Sequence, residues 1–184
     1  MLEDLLAPLP APLLICIHPA AGNEMKQWPI EYFAAVADRL VEDHGAQIIL
    51  IGGPGEEPIG ENLLRHMRRD GAVSLIGRFP LSDLPALLTR CDLFLGNDSG
   101  PKHIAAGLGI PTVAVHSGSV DVYEWGPIGP HAVAVVRDVT CAPCYLPTPQ
   151  LCRRGLACLR QLTPDAVYAA CEKMLLATAV AADL

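Results

Sequence analysis

Residues 91–127 read CDLFLGNDSGPKHIAAGLGIPTVAVHSGSVDVYEWGP. The apolar run Leu93-Phe94-Leu95 predicts a strand that ends in a polar knot, Gly96-Asn97-Asp98-Ser99-Gly100. The small residues of 101–108 predict a helix, Gly109 stops it, and 112–115 predicts the next strand. That is strand, tight loop, helix and strand in fewer than about 30 residues. The knot falls where a strand's carboxyl end meets a helix N-terminus. In an open parallel sheet ligands bind at that edge, and free backbone N–H groups there favour anions such as phosphate.

Working outward, the same alternation fills the chain. Residues 13–17 form a continuous apolar run, the pattern of a strand buried on both faces. It ends in His18-Pro19-Ala20-Ala21-Gly22-Asn23, and Lys26-Gln27-Trp28-Pro29 leads into a helix over 29–41 whose apolar stripe is Phe33, Val36, Ala37 and Leu40. Further strands are predicted at 47–51, 73–76 and 132–136. Further helices are predicted at 58–69, from Leu81-Ser82-Asp83 to 90 with Ser82 as its N-cap, and at 164–177 behind the cap Thr163. Residues 1–12, rich in proline, read as a linker or interdomain segment; 13–184 form the domain. About six strands alternating with helices predict a doubly wound parallel α/β sheet, with its loops gathered at the strands' carboxyl edge.

Composition narrows the function. A chain of 184 residues is one domain, and its net charge of −7 argues against a nucleic-acid surface, which calls for clustered Lys and Arg. No apolar run approaches the ~18 residues of a membrane span, and the start MLEDLLAPLPAP lacks a cationic signal region, so a cytoplasmic location is expected. Neither Gly-x4-Gly-Lys-[Ser/Thr] nor Gly-x-Gly-x-x-Gly follows any predicted strand, which lowers the prior for an ATPase or a dehydrogenase.

Each candidate site residue has a plainer reading beside it. Lys26 projects over the ligand edge and suits a diphosphate as a point charge; it also suits a solvated surface. Glu56 or Glu57, after the loop Gly52-Gly53-Pro54-Gly55, suits ribose hydroxyls or the favourable first turn of a helix. Asn97, Asp98, Ser99 and Gly100 hold more polar groups than a helix cap needs, although capping alone would explain one of them. His103, one turn on, either donates to a phosphate or is a satisfied core histidine. Ser117, in His116-Ser117-Gly118-Ser119, faces the same edge or is an ordinary polar turn, and Trp125 either stacks on a ligand ring or closes the core. Cys141, Cys144, Cys152 and Cys158 lie within 18 residues. Four thiolates suit a tetrahedral structural Zn or Fe, the alternative being four unrelated thiols. Cys16, Cys91 and Cys171 sit in apolar elements and read as core. No nucleophile elbow, His-Glu-x-x-His or acid/base carboxylate pair is evident.

With these residues in hand, 13–176 resembles the carboxyl-terminal domain of the heptosyltransferase-type glycosyltransferases, family 9, a Rossmann-like half of a GT-B enzyme. The most distinctive match is Asn97-Asp98-Ser99-Gly100-Pro101-Lys102-His103-Ile104-Ala105-Ala106. It is joined by Lys26-Gln27-Trp28-Pro29, Leu75-Ile76-Gly77 and Trp125-Gly126-Pro127. The cysteine-rich stretch is similar to that of many members, in one branch an iron-binding finger. The resemblance implies an NDP-sugar donor, with ADP-heptose favoured, and inverting transfer to a glycan, lipopolysaccharide-core or protein acceptor. It implies diphosphate and sugar contacts at Lys26 and 98–100 with His103 nearby, and ribose contact at Glu56 or Glu57. The family's amino-terminal acceptor domain, with the Asp taken as general base, has no counterpart in these residues, so the expectation is a half enzyme inactive alone, working in the cytoplasm or at the inner face of the inner membrane. Ala20-Ala21 departs from the hydroxyl residue that many members place against the phosphate. A non-catalytic nucleotide-sugar-binding or assembly module with a four-cysteine metal loop is the alternative, and a sugar-nucleotide epimerase of similar fold a more distant one.

Overall fold

The computed structural model describes residues 13–182, with side chains to 177. The proline-rich linker expected over 1–12 lies outside the described residues. Six strands form one sheet: β1 Leu14–His18, β2 Gln47–Leu50, β3 Ala72–Ser74, β4 Leu93–Asn97, β5 Thr112–His116 and β6 Ala132–Val136. Their order is β3-β2-β1-β4-β5-β6, and every pairing is parallel. The order reverses between β1 and β4. That is the topological switch point of a doubly wound sheet, and a crevice opens there at the strands' carboxyl ends.

The helices are α1 Ile30–His44, α2 Glu57–His66, α3 Leu84–Leu88, α4 Gly100–Gly107, α5 Val122–Trp125, α6 Ala157–Arg160 and α7 Pro164–Ala182. They cover both faces, so β1, β2, β4 and β5 are almost wholly buried, which is why they read as unbroken apolar runs. On one face Ile15, Ile17, Phe33, Leu40, Leu95, Val113, Val167 and Cys171 pack together; on the other, Cys16, Ile49, Leu87, Phe94 and Ala105. Cys16, Cys91 and Cys171 are buried core residues, as expected.

Several boundaries differ from the expectation. Helix α2 ends at His66, not 69, because Met67 is extended and Asp38 accepts the N–H groups of Arg68 and Arg69. Ser82 does not cap α3; it lies inside a short 3-10 turn, Leu81–Asp83, with its hydroxyl on Asp83. The cysteine-rich stretch contains α6 and a 3-10 turn, Pro149–Leu151. Helix α7 continues to Ala182 instead of stopping near 177, and Thr163 Oγ1 accepts from Ala166 N at its start. No helix among the described residues is long and apolar enough to cross a membrane.

Candidate functional site

Strand β4 delivers Asn97 and Asp98 to the switch point. Gly96 makes this approach possible: a Cβ there would meet the His18 carbonyl oxygen of β1 at 3.0 Å and the Phe94 ring at 2.9 Å. Asn97 is fully buried and engaged at both ends of its amide. Its Oδ1 accepts from Trp28 N at 3.0 Å, and its Nδ2 donates to the Pro19 carbonyl at 2.7 Å. It therefore braces the loop after β1 instead of facing a ligand. The next turn of that loop, Glu24–Lys26, is capped by Asn23 Oδ1 on Met25 N, and it presents Lys26 over the crevice.

Asp98 is the centre of the site and is 5 % exposed. Lys102, in the first turn of α4, reaches back past the Ser99 N-cap and donates to Asp98 Oδ1. Lys26 Nζ stands 2.7 Å from Oδ2. The contact is an ion pair aimed too poorly to give Oδ2 a well-formed hydrogen bond. Burial alone would raise the Asp98 carboxyl, but the hydrogen bond from Lys102 and the neighbouring Lys26 ammonium outweigh it and hold the group below the usual carboxylate range.

Lys102 is fully buried. Its ammonium also donates to His116 Nε2 at 2.9 Å and to the Trp125 carbonyl, so its three protons reach three elements. Burial lowers its pKa and Asp98 opposes that; three acceptors and an ionised partner keep it an ammonium. Since His116 accepts at Nε2, its proton sits on Nδ1, which has no hydrogen-bond partner among the described residues. Burial first, then the Lys102 charge, push His116 down to about 4.

That shift makes a pH prediction. Between about pH 4 and pH 6.5 the unfolded chain binds a proton at His116 and the folded chain does not, so stability falls as pH falls across that window, by on the order of 3 kcal/mol. Asp98, lowered in the fold, adds a loss of the same sign at still lower pH. Urea unfolding at pH 7, 5.5 and 4 measures the effect. His116→Asn should flatten the profile, and an equally steep profile in that variant would assign the loss elsewhere.

The other expected residues surround this core. Ser99 begins α4 with no side-chain cap: its hydroxyl donates to Asn97 O at 3.2 Å and meets His18 Nδ1 at 2.9 Å. Space beside Gly100 is open. His103 is exposed on the first turn of α4, its pKa lowered by burial and then by Lys102. Glu56 folds back over its own loop, with Oε2 accepting from Gly53 N at 2.7 Å and lying 3.7 Å from His18 Nε2. The nearby His18 ring lowers its pKa, against the effect of burial. Glu57 caps Gly55 N in the same way. Ser117 is buried against Ser119, with the two hydroxyls 2.7 Å apart. Trp125 is 51 % exposed and does not close the core; its ring lies 5.6 Å from Lys26 Nζ. A cleft of about 250 Å³ adjoins, lined by His18, Ile51, Gly52, Gly53, Phe79 and Pro101 among others. A larger groove of about 620 Å³ lies along α1 and the end of α2, but its charges are matched to one another, with Arg69 on Glu42 at 2.6 Å and Asp38 on two backbone N–H groups. Size alone does not make it the site.

The cysteine loop packs against the turn after β5. Cys144 N donates to Gly118 O and Tyr145 N to Ser119 O, and a Cβ on Gly118 would meet Ala142 Cβ at 3.0 Å. Cys158 is buried, Cys141 exposed, and Cys144 and Cys152 are intermediate. Burial raises the Cys158 thiol, and the nearby Cys152, Cys144 and Cys141 add to it. The donors are of the right chemistry for Zn or Fe, yet no three ligating side chains are gathered among the described residues. In this arrangement the thiols do not form a coordination sphere.

The two most buried groups of the cluster, Lys102 and His116, are not marked as site residues by local sequence. The sequence signal for their pairing is the four-residue spacing from Asp98 to Lys102 across the start of a small-residue helix.

Comparisons with known proteins agree with the fold. A family model described as glycosyltransferase family 9 (heptosyltransferase) matches residues 5–151. Lipooligosaccharide heptosyltransferase 2 of Campylobacter jejuni is 28 % identical over 166 residues, covering 88 % of this chain and 51 % of that protein. Among solved structures, the E. coli ADP-heptose LPS heptosyltransferase II superposes with a TM-score of 0.80 at 22 % identity, over 96 % of this chain and 50 % of that one. A glycosyl transferase family 9 protein of Veillonella parvula gives 0.78 at 25 % identity, over 95 % and 50 %. The chain spans about half the length of the curated relatives it matches.

Proposed function

The chain belongs to glycosyltransferase family 9, the heptosyltransferase family, and from that premise we propose that these residues bind the nucleotide-sugar donor of an inverting transfer. The observation that carries the reading is the Lys26–Asp98–Lys102 cluster at the N-terminus of α4, at the sheet's switch point. Two cations against one carboxylate leave a net positive charge there, and the free N–H groups that begin α4 point at the same edge. A diphosphate would sit against Lys26 and the turn 99–100, with His103 beside it. The adjoining cleft, apolar on the Ile51 and Phe79 side, suits a nucleobase, and Glu56 stands where ribose hydroxyls would reach it. As the sugar bond breaks, Lys26 and the helix N–H groups stabilise the leaving diphosphate.

ADP-heptose is the favoured donor, in line with the similarity to the E. coli ADP-heptose LPS heptosyltransferase II. A lipopolysaccharide-core acceptor and a cytoplasmic place of action, at the inner face of the inner membrane, belong to the same proposal. The general base that activates the acceptor we assign to a second domain, of the kind the other half of the relatives' length supplies. Calorimetry with ADP, UDP and GDP tests the donor. One diphosphate, ADP, should bind clearly better than the others, and Lys26→Ala should weaken it about tenfold with an unchanged melting curve, the size of one charge-assisted contact. Equal binding of all three, or full affinity in Lys26→Ala, would count against the reading.

The four-cysteine loop enters the proposal separately, as a structural metal loop that supports the turn at Gly118. Its support is the sequence, which places four cysteines within 18 residues of one another. Elemental analysis of purified protein should give about one Zn or Fe per chain. A ratio near zero with four titratable loop thiols would remove the metal.

A further inference from the structure

We propose that Lys102 is a positioning residue: it is the permanent counter-ion of Asp98, which leaves Lys26 free to take the donor diphosphate, and it ties the Trp125 turn to the start of α4. The inference rests on the donor-binding reading above.

The two lysines on Asp98 are not equivalent. Lys102 is the only lysine or arginine buried among the described residues. Its three N–H groups are matched by Asp98 Oδ1, His116 Nε2 and the Trp125 carbonyl, so nothing is left for a ligand. Lys26 differs on every count. Its side chain is 21 % exposed, its one ion-pair contact among the described residues is a poorly aimed 2.7 Å approach to Asp98 Oδ2, and the half-exposed Trp125 ring lies beside it at 5.6 Å. A diphosphate can compete for Lys26 and cannot reach Lys102.

The consequence is electrostatic. With Lys26 as its only partner, Asp98 would be left a bare buried carboxylate facing an anionic ligand once Lys26 turned to the phosphate, and burying an unpaired charge is strongly unfavourable. With Lys102 in place the carboxylate stays neutralised. The remaining ionisable groups around the pair are His116, which is neutral, and His103, which is exposed and lies toward the ligand edge. The three anchors of Lys102 also join β4, β5 and α5, so the Trp125 ring keeps its place beside Lys26 when the ligand arrives.

The test uses the intact protein with ADP and adenosine as probes. Lys102→Met should lose ADP affinity by about tenfold or more while adenosine, which carries no phosphate, binds unchanged. Asp98→Asn combined with Lys102→Met restores the net charge and should bring ADP affinity back to within about threefold of wild type. A purely structural role for Lys102 would weaken both ligands together and would not be rescued. If Lys102→Met does not fold, carbon-13 NMR of the Asp98 carboxyl in the unmodified protein decides: the group should stay ionised at pH 6 with and without saturating ADP. Proton uptake by Asp98 on ADP binding would overturn the inference, as would a Lys102→Met variant that binds ADP at full strength. Failure of the wild type to bind ADP at all would instead overturn the donor reading on which it rests.

Discussion

Asp98→Ala is expected to destabilise the fold by ~3–5 kcal/mol, because it leaves the fully buried Lys102 ammonium without its anion. For a chain of this size that is about 10 °C in Tm. The loss arises from the charge that remains, not from the contact that disappears. The double variant Asp98→Ala with Lys102→Met should therefore be more stable than Asp98→Ala alone, although it removes more. Thermal and urea unfolding at pH 7 measure both. A single variant within about 1 kcal/mol of wild type would show that the pair is solvated and does not hold the site together.

Trp28→Ala is expected to cost a similar ~3–5 kcal/mol by a different route. The indole is 2 % exposed and packs edge-on to Phe33 at 4.9 Å and Tyr32 at 5.5 Å. Its Nε1 donates to the Leu162 carbonyl at 3.0 Å, joining the loop after β1 to the segment before α7. Truncation opens a cavity under α1 and orphans that carbonyl. Because Lys26 is two residues away on the same braced loop, ADP affinity should fall with stability, whereas Lys26→Ala lowers affinity alone. Trp28→Phe keeps most of the packing and loses the hydrogen bond, so it should recover more than half of the loss. A Trp28→Ala protein with wild-type unfolding would contradict the packing account.

These two residues also show what the sequence could and could not reveal. Strands β1, β2, β4 and β5 were readable because helices cover both sheet faces, which forces unbroken apolar runs. The candidate ligand edge follows from topology, since the carboxyl ends of β1, β2, β4 and β5 are followed by polar or glycine-rich loops. The capping role offered for Ser82 failed because local sequence does not register the 3-10 turn that absorbs it. The end of α2 was misplaced because Asp38, a residue distant in sequence, takes the N–H groups of Arg68 and Arg69. Asn97 is a candidate ligand contact by sequence, but its amide is engaged by Trp28 and Pro19, partners that only the folded β1 loop brings near. Lys102 was missed because a lysine on a helix is ordinarily solvated, and its burial depends on His116 and Trp125 arriving from two other elements.

The central claim is that a donor diphosphate binds at the switch point, between Lys26 and the start of α4. Amide NMR of the intact chain titrated with ADP tests it most directly. The account predicts saturable shifts concentrated at Lys26, the loop 52–56 and residues 99–103, with the charged groove of Asp38, Glu42 and Arg69 silent. Saturable shifts confined to that groove, with the switch point unmoved, would contradict it.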